Sequence, residues 1–477
     1  MAVTDEILES SVVEIARRIR ARTTSPVELA EAYLARIERE QPRLNAFVIV
    51  TRDVAIADAR RAESEIAAGK YRGPLHGIPY GLKDLVDTQG IKTTFGAKPF
   101  ADRVPDRDAT IVRRLRDAGA VLLGKLSMIE LAGSFGYRFA SAALNGPCRT
   151  PWDTTRWAGG SSSGAGAATA AGLVGFAIGS ETWGSIVCPA AFCGVTGLRP
   201  TYGVVSRYGA MALAYTLDKL GPLARSAADC AVVLGAIAGR DSLDLSTIDA
   251  PLGLGALRPE RISGLRVGIV EPAPFATLEP AAIEAFRAAT AVLREMGAVV
   301  EEAALPNLPF EATASVIIES EGLAAFDDLV QSGRWRELAD TSAWAKKMQR
   351  GAALATGADY VKAMRVRTEL QRALGAMFDR HDVIVAPSFP VAPPRVDQDI
   401  EAYFKGFDDP LGAAGALAGL PAVSLPCGVF GVLPASFQIV GRPLDDARIL
   451  AIAAAYQTRT DWHLRRPAPT TPVGVGY

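Results

Sequence analysis

Trp157-Ala158-Gly159-Gly160-Ser161-Ser162-Ser163-Gly164-Ala165-Gly166 begins an uncharged run that extends to residue 180. Its 24 residues are long enough to cross a bilayer. Seven glycines and four serines, with a loop-like opening, oppose a lipid-facing helix. A glycine turn leading into a close-packed internal helix fits better, and the chain is read as free of membrane spans.

Outward from this run, short apolar stretches at 120–123, 173–178, 265–270, 383–386 and 422–425 alternate with helical patterns and glycine turns. Residues 265–270 read as a strand and 280–296 as the helix after it. Such alternation implies an α/β layered fold around a largely buried sheet. The first 65 residues read as helices: Ser25-Pro26-Val27-Glu28 is a start signal, and Leu29, Tyr33, Leu34 and Ile37 repeat at helical spacing. A second helical run at 54–66, rich in Ala and Arg, is expected on the surface. The loop at 239–262 is the candidate boundary between lobes. Residues 305–410, richer in aromatics and proline, read as a variable cap.

The 477 residues carry 51 Lys+Arg against 52 Asp+Glu, and 49% of them are apolar. This composition excludes disorder as the main state. Charge balance excludes a general nucleic-acid or anionic-membrane binder, which shows a basic stripe. The N-terminus is acidic and amphipathic, unlike a secretory signal. Cys148, Cys188, Cys193, Cys230 and Cys427 form no C-x-x-C pair, and His76, His381 and His463 are scattered. The reading is a reduced, cytoplasmic protein without a structural metal or cofactor.

Three chemistries compete for residues 159–166. A phosphate cradle lacks the Walker Lys-Ser/Thr pair and the third glycine of a dinucleotide fingerprint. A nucleophile elbow at Gly160-x-Ser162-x-Gly164 needs a strand just before it and a downstream histidine, His381 or His463. The preceding residues 151–156 look like a loop instead. The third reading joins the serines to Gly77-Ile78-Pro79-Tyr80-Gly81-Leu82-Lys83-Asp84 and to Ser180-Glu181-Thr182-Trp183-Gly184-Ser185-Ile186 in one site. Taken singly, Lys83 beside Asp84 reads as a surface pair and Ser185 as a turn cap.

Together these segments resemble the amidase signature family. The resemblance extends through Lys125-x-x-Met128-x-Glu130, 197–209, Leu217-Asp218-x-x-Gly221-Pro222 and Gly419-Leu420-Pro421-Ala422. It covers 25–235 densely and 415–460 thinly, and it leaves the middle third uncovered. The run Tyr202-Gly203-x-Val205-Ser206-Arg207-Tyr208-Gly209 is most similar to the A subunits of glutamyl-tRNA(Gln) amidotransferases and their free-standing amidase relatives.

The resemblance implies a large mixed, mostly parallel sheet layered between helices. It implies one domain over 1–477: a helical segment at 1–65, a catalytic core at 66–240, the cap at about 305–410 and a return to the core at 411–465. It implies hydrolysis of C–N bonds through an acyl-enzyme by a Ser–cis-Ser–Lys triad, which maps onto Ser185, Ser161 and Lys83. Backbone N–H groups of Thr182, Trp183, Gly184 and Ser185 would form the oxyanion hole, with Ser162 and Gly160 in support; Ser163 is given no role. Lysine serves as a base only when neutral, which burial favours.

Glu181 replaces the family's usual Asp, Trp183 a Gly and Val187 an Arg, so an ion pair bracing this loop is expected to be absent or rebuilt. The expected substrate is a small, neutral aryl or apolar amide or carbamate (a urethane), taken by a monomer or homodimer without nucleic acid or membrane. Two alternatives stand beside it. One is the A subunit of a glutamine-dependent tRNA amidotransferase, and the other a non-catalytic scaffold. Glutamine would need charged partners, for which Arg334, Arg336, Arg350, Arg365, Arg367, Asp397 and Asp399 are candidates.

Overall fold

The structure, a computed structural model, describes residues 3–468 apart from 135, 250, 255–261, 274–276, 350–354, 408 and 410. Among the described residues eleven strands make one sheet: β1 (Phe47–Val50), β2 (Pro79–Lys83), β3 (Val121–Leu126), β4 (Phe176–Glu181), β5 (Thr196–Arg199), β6 (Lys219–Ala224), β7 (Arg266–Ile269), β8 (Val299–Glu302), β9 (Val383–Ser388), β10 (Ala422–Phe430) and β11 (Leu433–Val440). Their order is β1-β3-β2-β4-β6-β5-β10-β11-β9-β7-β8. Every residue of β2, β3, β4, β5, β6, β9 and β11 is buried, which requires cover on both faces. The helices Ser163–Ala170, Ala227–Ile237, Pro280–Glu295 and Asp446–Gln457 pack against these strands.

The expected α/β architecture is present and the sheet is mixed, but it is not mostly parallel. Parallel pairing is confined to β3-β2-β4 and β9-β7-β8. The six other pairings are antiparallel. Parallel neighbours need a long crossover, whereas β10 and β11 are joined by the two residues Gly431-Val432, and β5 reaches β6 through a loop without a helix. Strands buried on both faces lose the polar alternation that would have marked them as antiparallel.

The run at 157–180 divides into a loop, the buried helix Ser163–Ala170 and β4. Among the described residues no helix is long and apolar enough to cross a membrane. At the N-terminus Ser25 caps the helix Pro26–Leu44, its hydroxyl accepting from the N–H groups of Val27 and Glu28 at 3.1 and 3.2 Å. The helix Arg52–Ala67 buries only Ala55, Ala59, Ala62 and Ile66, as its composition predicts. The first 65 residues are not wholly helical. The β-branched run Phe47-Val48-Ile49-Val50 forms β1, antiparallel to β3. The stretch read as a cap contributes β9 to the sheet, between β11 and β7.

Candidate active site

Lys83 is the last residue of β2, whose parallel neighbour β4 pairs Ile178 with Leu82. This pairing sets the lysine beside Ser180. Ser161 and Ser162 precede the helix Ser163–Ala170, which packs on β2, β3, β4 and β6, and Ser185 lies in the turn that follows β4. Three sequence-remote segments therefore meet at one end of adjacent strands. Lys83 Nζ is fully buried, 2.8 Å from Ser161 Oγ, 2.9 Å from Ser162 Oγ and 2.9 Å from Ser180 Oγ. Ser161 Oγ lies 2.9 Å from Ser185 Oγ, which completes a chain of polar atoms from lysine to the outer serine. The Gly160–Ser161 peptide is cis, as the resemblance implies. A Cβ on Gly160 would come within 2.5 Å of the Trp157 ring, so only glycine fits there.

Burial pushes the Lys83 ammonium down from its ordinary range to about 7, against the opposing pull of Asp218 and Glu181. A neutral amine at this position can accept a proton from Ser161, which can in turn accept one from Ser185. Ser162, the elbow candidate, follows a loop and donates to the Ser180 carbonyl at 3.1 Å. The histidines lie elsewhere. His76 Nδ1 accepts from the Arg72 N–H, His381 faces Glu301, and His463 sits in the short 3-10 helix Trp462–Leu464 near the C-terminus.

The turn after β4 is braced from within. Glu181, fully buried, accepts from the N–H groups of Ile186 and Val187 at 2.8 and 3.0 Å and from Arg199 Nη1 at 2.8 Å. The ion pair expected to be absent or rebuilt is thus rebuilt with an arginine from β5. Arg199 beside it holds the Glu181 carboxyl below the usual range although burial opposes this. Gly184 takes φ +78°, a left-handed conformation suited to glycine. Trp183 is not among the non-glycine residues with positive φ, and its indole fills space above Gly412, where a Cβ would lie 2.6 Å from Nε1.

Beside this turn is a cleft of about 530 Å³ lined by Tyr137, Trp157, Trp183, Phe389, Phe404 and Phe407 among others. Phe389 stacks on Phe407 and meets Phe404 edge-on. The described lining also includes Glu311 and Asp409 but no lysine or arginine. Of the candidate charges for glutamine, Arg367 is spent on the Leu417 and Thr216 carbonyls, Asp399 pairs with Arg138, and Arg334 pairs with Glu337. Arg336, Arg365 and Asp397 do not line the cleft, and Arg350 lies outside the described residues.

Sequence reasoning leaves three groups at the site without a role. Ser180 contacts Lys83, Arg199 braces the turn, and Asp218 accepts from the Thr182 hydroxyl at 2.5 Å. All three fall within motifs already quoted, but a serine or carboxylate inside a glycine-rich motif carries no label of its own. Lys125 and Glu130 stand outside the site. Lys125 donates to the Val86 carbonyl and the Thr88 and Thr93 hydroxyls, fixing the loop that follows Lys83, and Glu130 accepts from the N–H groups of Ala339 and Asp340.

Comparison with known proteins shows what the chain as a whole is similar to. The profile of the family described as Amidase matches residues 28–450. The chain is 38% identical to the A subunit of the glutamyl-tRNA(Gln) amidotransferase of Moorella thermoacetica, over 95% of this chain and 97% of that one. Native peptide amidase from Stenotrophomonas maltophilia superposes with a TM-score of 0.82 at 32% identity, covering 96% of this chain and 98% of the other. The A subunit of the Thermotoga maritima glutamyl-tRNA(Gln) amidotransferase gives 0.78 at 28% identity, covering 96% and 97%.

Proposed function

The chain belongs to the Amidase family and is an amidohydrolase acting on carbon–nitrogen bonds, and from that premise we propose that Ser185, Ser161 and Lys83 cleave a small, neutral aryl or apolar amide. The observation that carries this reading is the buried relay Lys83–Ser161–Ser185, with steps of 2.8 and 2.9 Å. Ser185 Oγ attacks the carbonyl carbon while its proton passes to Ser161, whose own proton moves to neutral Lys83. The carbonyl oxygen becomes an oxyanion, held by N–H groups of the turn 182–185. Collapse expels the amine, which takes a proton back through Ser161 and leaves an acyl-enzyme. Water then attacks the ester along the same relay, releasing the acid and restoring Ser185. Ser162 and Ser180 hold the lysine in line.

The aromatic cleft supports an aryl or apolar substrate, because burial favours such groups by about 25 cal/mol per Å². It offers no described cation to offset the desolvation of a free α-carboxylate. A second reading, the glutamine-hydrolysing A subunit of a tRNA amidotransferase, draws its support from the Moorella relative, whose name and near-complete coverage favour it over the first. Carbamate cleavage draws no support from these relatives and enters only as one arm of the test.

That test is a panel measured with the purified chain alone: acyl anilides, aryl carbamates, glutamine and asparagine, compared by kcat/KM. The expected result is anilides ahead of glutamine by about tenfold or more. Glutamine ahead would establish the second reading. Trp183→Gly should weaken anilides more than small aliphatic amides; equal losses would assign the indole to the turn's structure.

A further inference from the structure

The antiparallel register of β4 and β6 sets Glu181 opposite Lys219. One step further out, Thr182 leaves β4 where Asp218 enters β6. Asp218 Oδ1 accepts from Thr182 Oγ1 at 2.5 Å, and its Oδ2 is fixed by the N–H groups of Leu213 and Ala214 at 2.8 and 3.1 Å. Lys219 Nζ, buried, donates to the Thr182 carbonyl at 3.4 Å. Two adjacent residues therefore hold Thr182 by its side chain and by its main chain.

A trans peptide is planar, and its carbonyl and N–H point in opposite directions. Drawing the Thr182 carbonyl toward Lys219 consequently turns the Trp183 N–H away from it. Glu181 occupies the N–H groups of Ile186 and Val187 at the far end of the turn. Among the described residues, no hydrogen bond from the N–H of Trp183, Gly184 or Ser185 is present, so these donors are available between the two anchored ends.

We propose that Lys219 and Asp218 are positioning residues that clamp Thr182 and thereby aim the N–H donors of the oxyanion turn. The clamp rests on the reading of 182–185 as that turn. It acts through Thr182 and touches no reacting atom. Its loss misdirects donors but leaves Tyr137, Trp157, Phe389, Phe404 and Phe407 of the aromatic cleft in place, so it lowers turnover more than it weakens substrate binding. Removing a single oxyanion donor costs about 10²–10³ in kcat, and a misdirected donor costs part of that.

Three variants test it, with an acyl p-nitroanilide as substrate: Lys219→Met removes the donor, Lys219→Gln replaces the amine but keeps an N–H, and Thr182→Val removes the hydroxyl that Asp218 holds. The expected result for Lys219→Met and for Thr182→Val is a kcat about tenfold lower or worse, with KM within about threefold of wild type. Lys219→Gln should recover most of the kcat. Wild-type kcat in Lys219→Met, or equal impairment of the Gln and Met variants at the same Tm, overturns the clamp. If Lys219→Met fails to fold, Thr182→Val decides alone, and wild-type kcat there overturns it. Ser185→Ala, run in parallel, separates the two levels: activity surviving in that variant removes the catalytic reading itself, whereas its loss leaves only the clamp under judgement.

Discussion

Lys83→Ala is expected to lower kcat by about 10³–10⁴, the upper range for losing a positioned general base, while His381→Ala and His463→Ala stay near wild type. Steady-state kinetics on an anilide check both. A large loss in either histidine variant would remove the Ser–Ser–Lys assignment. In the wild type kcat/KM should rise with pH through about 7, because the relay needs the neutral amine that burial produces there. The same depression has a stability sign. With the folded value near 7 and the ordinary value at 10.5, the unfolded chain binds more protons across that window, so this group makes stability rise with pH from 7 to 10.5. Below pH 7 the folded protein must bury a charged ammonium. Lys83→Met, inactive but without that burden, is therefore expected to melt at a higher temperature than wild type at about pH 6.

Ser185→Ala should be the more severe lesion, at least about 10⁴-fold in kcat, since a lost nucleophile leaves only binding and the oxyanion donors to act. A fluorophosphonate is expected to label Ser185 in the wild type and to leave Ser162 unmodified in a peptide map. Labelling should fall steeply in Lys83→Ala, where no base draws the proton from the relay. A label on Ser162 instead would restore the elbow chemistry. Undiminished labelling in Lys83→Ala would disconnect the lysine from the serine despite their shared contact with Ser161.

Local signals suffice for individual elements. Ser25 caps its helix as expected, and the runs at 265–270 and 383–386 form β7 and β9. The meeting of Lys83, Ser161 and Ser185 is legible only because three motifs match one family pattern; the apolar run before Lys83 hints at burial, but Asp84 beside it reads as a surface partner. Strand direction is not legible, because Leu198 or Leu223 in a doubly covered sheet reads alike whichever way its neighbour runs. The origin of the turn's brace is equally hidden. Arg199 sits 18 residues from Glu181 in sequence, and only the pairing of β4 through β6 to β5 brings the two together.

That brace constrains how the turn can change over time. Glu181 and Arg199 are exposed by 0% and 1%, and removing either partner of such a pair leaves an uncompensated buried charge at about 3–5 kcal/mol. An arginine returned to position 187 alone would enter a wholly buried helix whose neighbouring carboxylate is already matched. Shortening Glu181 to aspartate alone would draw its carboxylate back from the Ile186 and Val187 N–H groups or from Arg199. Positions 181 and 199 are thus coupled, and position 187 is tied to them only in that it tolerates no further charge. Drift at 181 and 199 should proceed by concerted exchange, with intermediates that fold poorly, and a single-site scan would score both as intolerant even though a different matched pair could serve.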